Sequence, residues 1–356
     1  MDRVSLFMSL FNKRDLKNQQ KIRDVLLDSD IINGFVDAKM YIGEKIDQNL
    51  WKTKFEELLK LEDILFKENI KYLSLYDENY PQKLRNISSK PHLLFYKGDI
   101  SLLNWKFSIA IVGTRKPTTY GIWASKRFSS ELAKSDVCII SGMATGVDTY
   151  AHEGALEEEG KTICVLGTPV SKAYPTSNKK LMERVLASKG LVISEYSPLE
   201  KTLPVNFAYR NRIISGLSDG ILIVEAGLKS GTLITADFAL EQGKNIFAVP
   251  GNINSKYSIG TNNLIRQGAI LASNISDIFS EYDMDFDIIS SKSHEELNLS
   301  ELENKIYLCV KKEGICHIDY IASTTGINIK DVMGILNILD IKGVVNYDGI
   351  LVNAVL

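Results

Sequence analysis

VCIISGMATGVDTYAHEGAL, residues 137–156, reads as a strand, a turn and a helix in immediate succession. VCII is a continuous apolar run of strand length, and Gly142 and Gly146 bracket the turn. Asp148 and Thr149 stand where a helix begins. Junctions of this kind leave backbone N–H groups pointing at something negative. A nucleotide cofactor, a substrate and a nucleic-acid backbone all remain open as the anion at this point.

The same unit recurs on both sides. SIAIV, VCII, TICVL, LVIS, GILIV and NIFAV are short β-rich runs from Ser108 onward. They alternate with amphipathic stretches such as WASKRFSSELA, LMERVLAS and ITADFALEQ. Alternation of this kind predicts a parallel sheet covered by helices on both faces, a doubly wound α/β fold. The near-continuous hydrophobicity of the strands fits burial on both sides. After the strands come GTRKPTTYG, SGMATG, GTPVSKAYPTSN, SEYSP, EAGLKSGT and PGN. Open parallel sheets bind ligands at the carboxyl ends of their strands, so these loops form one composite binding edge.

Residues 1–75 read as a helical module. Ile22, Val25 and Leu26 share one face, and Phe55, Leu58, Leu59 and Ile64 another. Tyr76 to Asp99, with its two prolines, reads as a connector into a binding domain spanning 76–280. The acidic, polar stretch around 281–300 reads as a linker, with Lys292 the only base between Asp283 and Glu303. Residues 301–356 read as helix, turn, helix and a hairpin over Asp348-Gly349, the order of a winged helix.

Composition bounds the partners. Lys+Arg of 42 against Asp+Glu of 44 leaves a net charge of -2, so any basic site is local. The four cysteines, Cys138, Cys164, Cys309 and Cys316, form no C-x-x-C pair and read as free thiols of a reducing compartment. No run approaches the ~20 apolar residues of a membrane span. The expectation is a soluble cytoplasmic protein.

Three features of the edge carry chemistry. Arg115, directly after Gly113 and Thr114, is placed to clamp a phosphate while the flanking backbone donates N–H groups. FAYRNR, residues 207–212, mixes aromatic and basic side chains, which suits single-stranded nucleic acid. Ile213, Ile214 and Leu217 show that the same segment is an amphipathic helix, so one of Arg210 and Arg212 is open to a packing or ion-pair role. Lys229, Ser230, Gly231 and Thr232 form a polar turn ahead of a helix, an anion nest. G-x-G-x-x-G is missing after the first strand, and GLKSGT lacks the G-K-[ST] ending of a P-loop, so neither NAD nor ATP is called for. Asp148, His152, Glu195 and Glu225 are the titratable candidates, and they compose no triad, metal site or carboxylate pair. Binding is favoured over catalysis.

VGTR, SGMATGVDTYAHEGAL, KTICVLGT, YPTSN, ISEY, RNRIISGLSDGILIVEA, SGTLITADFALEQGKNIFAVPG and GTNNLIRQGA, in this order, resemble the DNA-processing protein A (DprA, or Smf) family. The resemblance implies an extended Rossmann-like fold that binds single-stranded DNA without a cofactor, forms homodimers and loads RecA recombinase in natural transformation. Members are not known as enzymes. The resemblance carries DNA contacts onto Arg115, Phe207, Arg210, Arg212, Ser230 and Gly231. With the loop readings, the expected DNA-binding set is completed by Gly113, Thr114, Gly142, Asn211, Lys229 and Thr232. The chain departs from the family at Thr145, Thr176 and Pro204, where members usually carry a base. Lys172, Lys179 and Lys201 lie close by in sequence. The departures predict a shallower salt dependence than more basic relatives have, by about 0.7 in log–log slope per lost contact. The rival enzyme class is the lysine-decarboxylase-like nucleoside monophosphate phosphoribohydrolases, whose G-G-x-G-T-x-x-E supplies a catalytic Glu. Thr235 stands in its place here.

Overall fold

The structure is a computed structural model and describes residues 2–11, 18–28, 30–282, 299–313, 315–342, 344–347 and 349–354. The chain divides into two compact units, Met1–Ile289 and Ser290–Leu356. No helix among the described residues is long and apolar enough to cross a membrane.

The first unit is organised by a nine-stranded sheet. Its strands are β1 (Lys71–Ser74), β2 (Leu93–Gly98), β3 (Ser108–Val112), β4 (Cys138–Ser141), β5 (Thr162–Val165), β6 (Leu191–Ser194), β7 (Gly220–Ile223), β8 (Asn245–Ala248) and β9 (Ile270–Leu271). They lie in the order β1-β2-β6-β5-β4-β3-β7-β8-β9. From β6 through β9 every pairing is parallel, whereas β1–β2 and β2–β6 are antiparallel. Successive side chains of a strand face opposite sides. Accordingly Ile109 and Ile111 pack into one apolar cluster with Phe128, Val147 and Phe247. Ala110 and Val112 pack into another with Ile140, Ile214 and Ile223. Two-sided burial explains why these strands read as unbroken apolar runs.

The parallel strands are joined through α6 (Thr119–Lys134), α7 (Val147–Glu157), α8 (Lys179–Ala187), α9 (Pro204–Leu217) and α10 (Gly231–Glu241). Before them come α1 (Arg3–Met8), α2 (Gln19–Asp28), α3 (Phe35–Ala38), α4 (Gln48–Lys67) and the single turn α5 (Gln82–Arg85). α11 (Ile259–Arg266) and α12 (Ser276–Phe279) follow the last strands.

Three expectations change. The connector between Tyr76 and Asp99 contains β2, and β1 precedes it, both as antiparallel members of the main sheet. These short runs lie outside the glycine-punctuated βα rhythm, so the alternation that identifies the other strands does not reach them. The boundary expected near residue 75 falls inside one core, because Phe7, Trp51 and Leu58 share a cluster with Leu166, Val185 and Val192. Trp51 centres the helical layer, edge-on to Phe7 at 4.8 Å, with its indole N–H donated to the Ile31 carbonyl at 2.9 Å. The buried stripe of α4 is Trp51, Leu58, Leu61 and Leu65, and Leu59 lies outside it, exposed.

In the second unit, α13 (Glu301–Glu313), α14 (Ile318–Thr325) and α15 (Ile329–Ile341) pack on a sheet of order β10-β12-β11. The strands are β10 (Ile315–His317), β11 (Val345–Tyr347) and β12 (Leu351–Ala354). Its core is built by Ile306, Val310, Ile321, Val332, Leu336 and Val352. Gly326, at φ 70°, closes α14 in the left-handed conformation that a side chain disfavours. The expected helix, helix and hairpin are present, and β10 adds a third strand. Residues 283–298 of the expected acidic linker, and Asp348 of the hairpin turn, lie outside the described residues.

Candidate functional site

The strand order reverses between β3 and β7, the switch point where a doubly wound sheet opens a crevice. A cavity of about 360 Å³ lies there, lined from β3 and its loop by Val112, Gly113 and Arg115. Helix α9 contributes Phe207, Arg210 and Asn211, and the start of α10 contributes Ser230, Gly231 and Thr232.

The loop after β3 is fixed from below. Glu225, buried at the end of β7, accepts from the Thr118 amide at 2.9 Å and the Thr118 hydroxyl at 2.6 Å. Its own carbonyl accepts from the Thr114 amide at 2.8 Å. Thr114 is thereby used in shaping the loop, and its Oγ1 accepts from the Lys116 amide at 3.2 Å. Gly146, at φ 85°, faces this loop closely: a Cβ there would lie 2.4 Å from the Thr114 carbonyl oxygen. The two loops can nest only because that position is glycine.

Arg115 is exposed at the cavity mouth, and its guanidinium has no ion pair among the described residues. It lies 6.0 Å from the centre of the Phe207 ring. Phe207 in turn lies 4.7 Å from Tyr174, whose ring is half exposed. Tyr174 is absent from the expected site, although YPTSN is among the quoted motifs. Its loop position gives no periodicity, and only the fold brings it to Phe207.

Arg210 has a different role from Arg115. It is buried, donating through Nη1 to the carbonyls of Gly142, at 2.8 Å, and Val165. Beside it Asp148 accepts from the amides of Gly142, at 3.1 Å, and Ala144, at 3.3 Å. A Cβ on Gly142 would meet Arg210 Nη2 at 2.6 Å and Asp148 Oδ2 at 2.7 Å. Gly142 is therefore the buried lid of this pair and is withdrawn from the surface that a ligand could touch. Arg212 is withdrawn as well. Its side chain is 1% exposed, ion-paired to Glu195 and 4.0 Å from the centre of the Tyr209 ring. Two residues apart, on different faces of α9, Arg210 goes to the cavity floor and Arg212 into the protein. The sequence left this choice between the two arginines open.

Ser230 caps α10, accepting from the Thr232 amide at 3.2 Å, and a Cβ added to Gly231 would meet nothing within 4 Å. The open helix start faces the cavity as an anion nest. Lys229 is exposed but does not line it. Thr235 does, so no carboxylate stands at the position of the hydrolase Glu. His152 is buried on α7, its Nδ1 sharing a hydrogen bond with Thr162 Oγ1 at 2.7 Å, and burial pushes it down to about 3. It is a neutral core residue.

Burial pushes the Asp148 carboxyl up to about 6, against the opposing pull of Arg210 and the two amides. A carboxyl that binds its proton more tightly when folded adds stability below its unfolded value. That contribution is lost as pH rises through the folded one. Between about pH 4 and 6 the stability of wild type relative to Asp148→Asn is expected to fall by up to about 3 kcal/mol. Urea denaturation across that range measures it, and a constant difference would contradict the assignment.

A doubly wound Rossmann-like sheet with an anion-ready crevice at its switch point defines the structural class. The chain belongs to the DNA recombination-mediator protein A family, whose model matches residues 71–283. It is 37% identical to DNA processing protein DprA of Streptococcus pneumoniae, over 70% of this chain and 89% of that one. It is 39% identical to DprA of Bacillus subtilis, over 60% of this chain and 72% of that one. The X-ray structure of the Streptococcus pneumoniae protein superposes with a TM-score of 0.64 at 32% identity, covering 79% of this chain and 98% of that one. DNA processing protein A from Helicobacter pylori, whose structure is described for its single-stranded DNA binding mode, superposes with a TM-score of 0.54 at 34% identity. That match covers 60% of this chain and 98% of the other.

Proposed function

We propose that the crevice between β3, α9 and α10 binds single-stranded DNA, and that the chain acts in DNA processing during transformation and recombination. One observation carries this reading: Arg115, without an ion pair among the described residues, beside the Phe207–Tyr174 ring pair, at the mouth of a cavity with an open helix start. Guanidinium and helix amides suit phosphates, and the rings suit unpaired bases, whose π faces are free to stack. The single-stranded DNA binding of the Helicobacter pylori relative supports the same ligand. Buried Arg210, with Asp148 beside it, braces the cavity floor through the Gly142 carbonyl. Loading of RecA onto the bound strand, and a homodimer that presents it, complete the proposal on family resemblance. The net-acidic α15, with Lys330 its only base against Asp331 and Asp340, fits a protein contact better than a DNA groove.

Phe207→Ala is expected to weaken an oligo-dT strand by about 1–3 kcal/mol, the range for one stacked base, with Phe207→Tyr retaining most of the affinity. Fluorescence anisotropy measures both. Equal affinity of Phe207→Ala and wild type would refute the stacking role. Release of free base from a nucleoside monophosphate would instead favour the hydrolase reading.

A further inference from the structure

The cavity mouth holds an arginine, a ring and a second ring: Arg115, Phe207 and Tyr174. The same arrangement occurs again on α6, the helix that the Arg115 loop leads into. Tyr120 and Trp123, one turn apart, have ring centres 5.9 Å apart with planes inclined by 29°. Arg127, one turn further on, lies 5.2 Å from the centre of the Trp123 ring. Tyr120 is 43% and Trp123 51% exposed, an unusual expense of aromatic surface on a helix whose inner face already buries Ala124, Phe128 and Leu132. The Tyr120 hydroxyl donates to the Pro250 carbonyl at 3.0 Å, which holds that ring against the sheet edge.

We propose that Tyr120 and Trp123 form a second base-stacking platform, which receives nucleobases of the strand after it leaves the cavity mouth. This rests on the single-stranded DNA reading of the cavity. Continuity favours this occupant. Tyr120 is the fifth residue after Arg115, which limits their Cα separation to about 18 Å. Exposed Lys116 lies between them in sequence. A trough lined by Thr118, Thr119, Tyr120, Asn252 and Ser258 runs beside the helix start.

The ring spacings specify how a base docks. A base inserted between two flat groups needs roughly 7 Å, two van der Waals contacts, and neither 5.9 nor 5.2 Å admits one. The base must therefore displace Arg127 from the outer face of Trp123. Among the described residues Arg127's one ion pair is with Glu131, at 2.7 Å, an exposed pair of the kind that contributes little. The released guanidinium is then free to meet the phosphate of the base that displaced it.

Trp123 reports its own occupancy. Trp51 is buried, and Trp105 donates its indole N–H to the Asp136 carbonyl, so Trp123 is the most exposed of the three tryptophans. The experiment follows anisotropy of labelled dT5 and dT20 together with intrinsic tryptophan emission on unlabelled strands, in wild type, Trp123→Ala and Trp123→Phe. The expected result is quenching of wild-type emission by dT20 and about tenfold weaker dT20 binding by Trp123→Ala. Trp123→Phe is expected to recover most of the affinity without the quench, and the alanine defect to grow from dT5 to dT20. If dT20 binds wild type but Trp123→Ala binds it equally well, the platform is refuted while the cavity reading stands. Equal losses on dT5 and dT20 would also refute it. If wild type binds neither strand, the cavity reading fails and the platform falls with it.

Discussion

Arg115→Ala is expected to weaken oligo-dT binding by about 1.5–3 kcal/mol, the range of a hydrogen bond to a charged group. The salt dependence should flatten with it, by about 0.7 in log–log slope, because one phosphate contact is lost. The expectation rests on what Arg115 lacks. Among the described residues no carboxylate pairs with it, so its charge is available to a ligand, and the Glu225 brace holds its loop in place without it. Stability should consequently change little, and a thermal melt run beside the anisotropy titration separates the two effects. Arg115→Lys is expected to recover only part of the loss, because a point charge replaces a fork that matches phosphate oxygens. Undiminished binding by Arg115→Ala would remove the cavity mouth from the interface.

Glu195→Gln is expected to do the opposite, costing stability and sparing the cavity. It leaves Arg212, 1% exposed, without its counter-charge, and breaking a buried pair this way costs about 3–5 kcal/mol. Glu195 is itself 12% exposed, so the lower end of that range is expected. Arg212 Nε, Arg212 Nη1 and Glu195 Oε1 have no hydrogen-bond partner among the described residues. The pair is therefore incompletely compensated, and replacing both residues by apolar ones, as in Glu195→Leu with Arg212→Met, should recover most of the loss. Urea midpoints of the single and double variants test this. Normal stability of Glu195→Gln together with a large loss of DNA affinity would restore Arg212 to the interface.

The doubly wound sheet was legible because its strands are buried on both faces and its loops follow one rhythm of glycine and hydroxyl residues. Gly113, Arg115 and Ser230 could be placed at one edge from that rhythm, whereas Phe207 entered through its aromatic and basic segment and the family resemblance. β1 and β2 were hidden because antiparallel strands need no βα unit and so leave no glycine loop behind them. The fates of Arg210 and Arg212 were hidden for another reason. Their spacing puts them on different faces of α9, but only the fold shows that Gly142 roofs one and Glu195 neutralises the other. Tyr174 was missed because ring contacts between distant loops leave no local pattern. In each case the lost information is long-range contact, which neither periodicity nor motif spacing carries.

The most direct test of the central claim is wild-type binding of a labelled dT20 strand and a duplex of equal length, followed by anisotropy across a salt series. The strand should bind tightly at low salt and weaken with a log–log slope of about 0.7 per phosphate contact, with the duplex bound less well. Failure to bind the strand at low salt, or a clear preference for the duplex, would contradict the assignment of this crevice to single-stranded DNA.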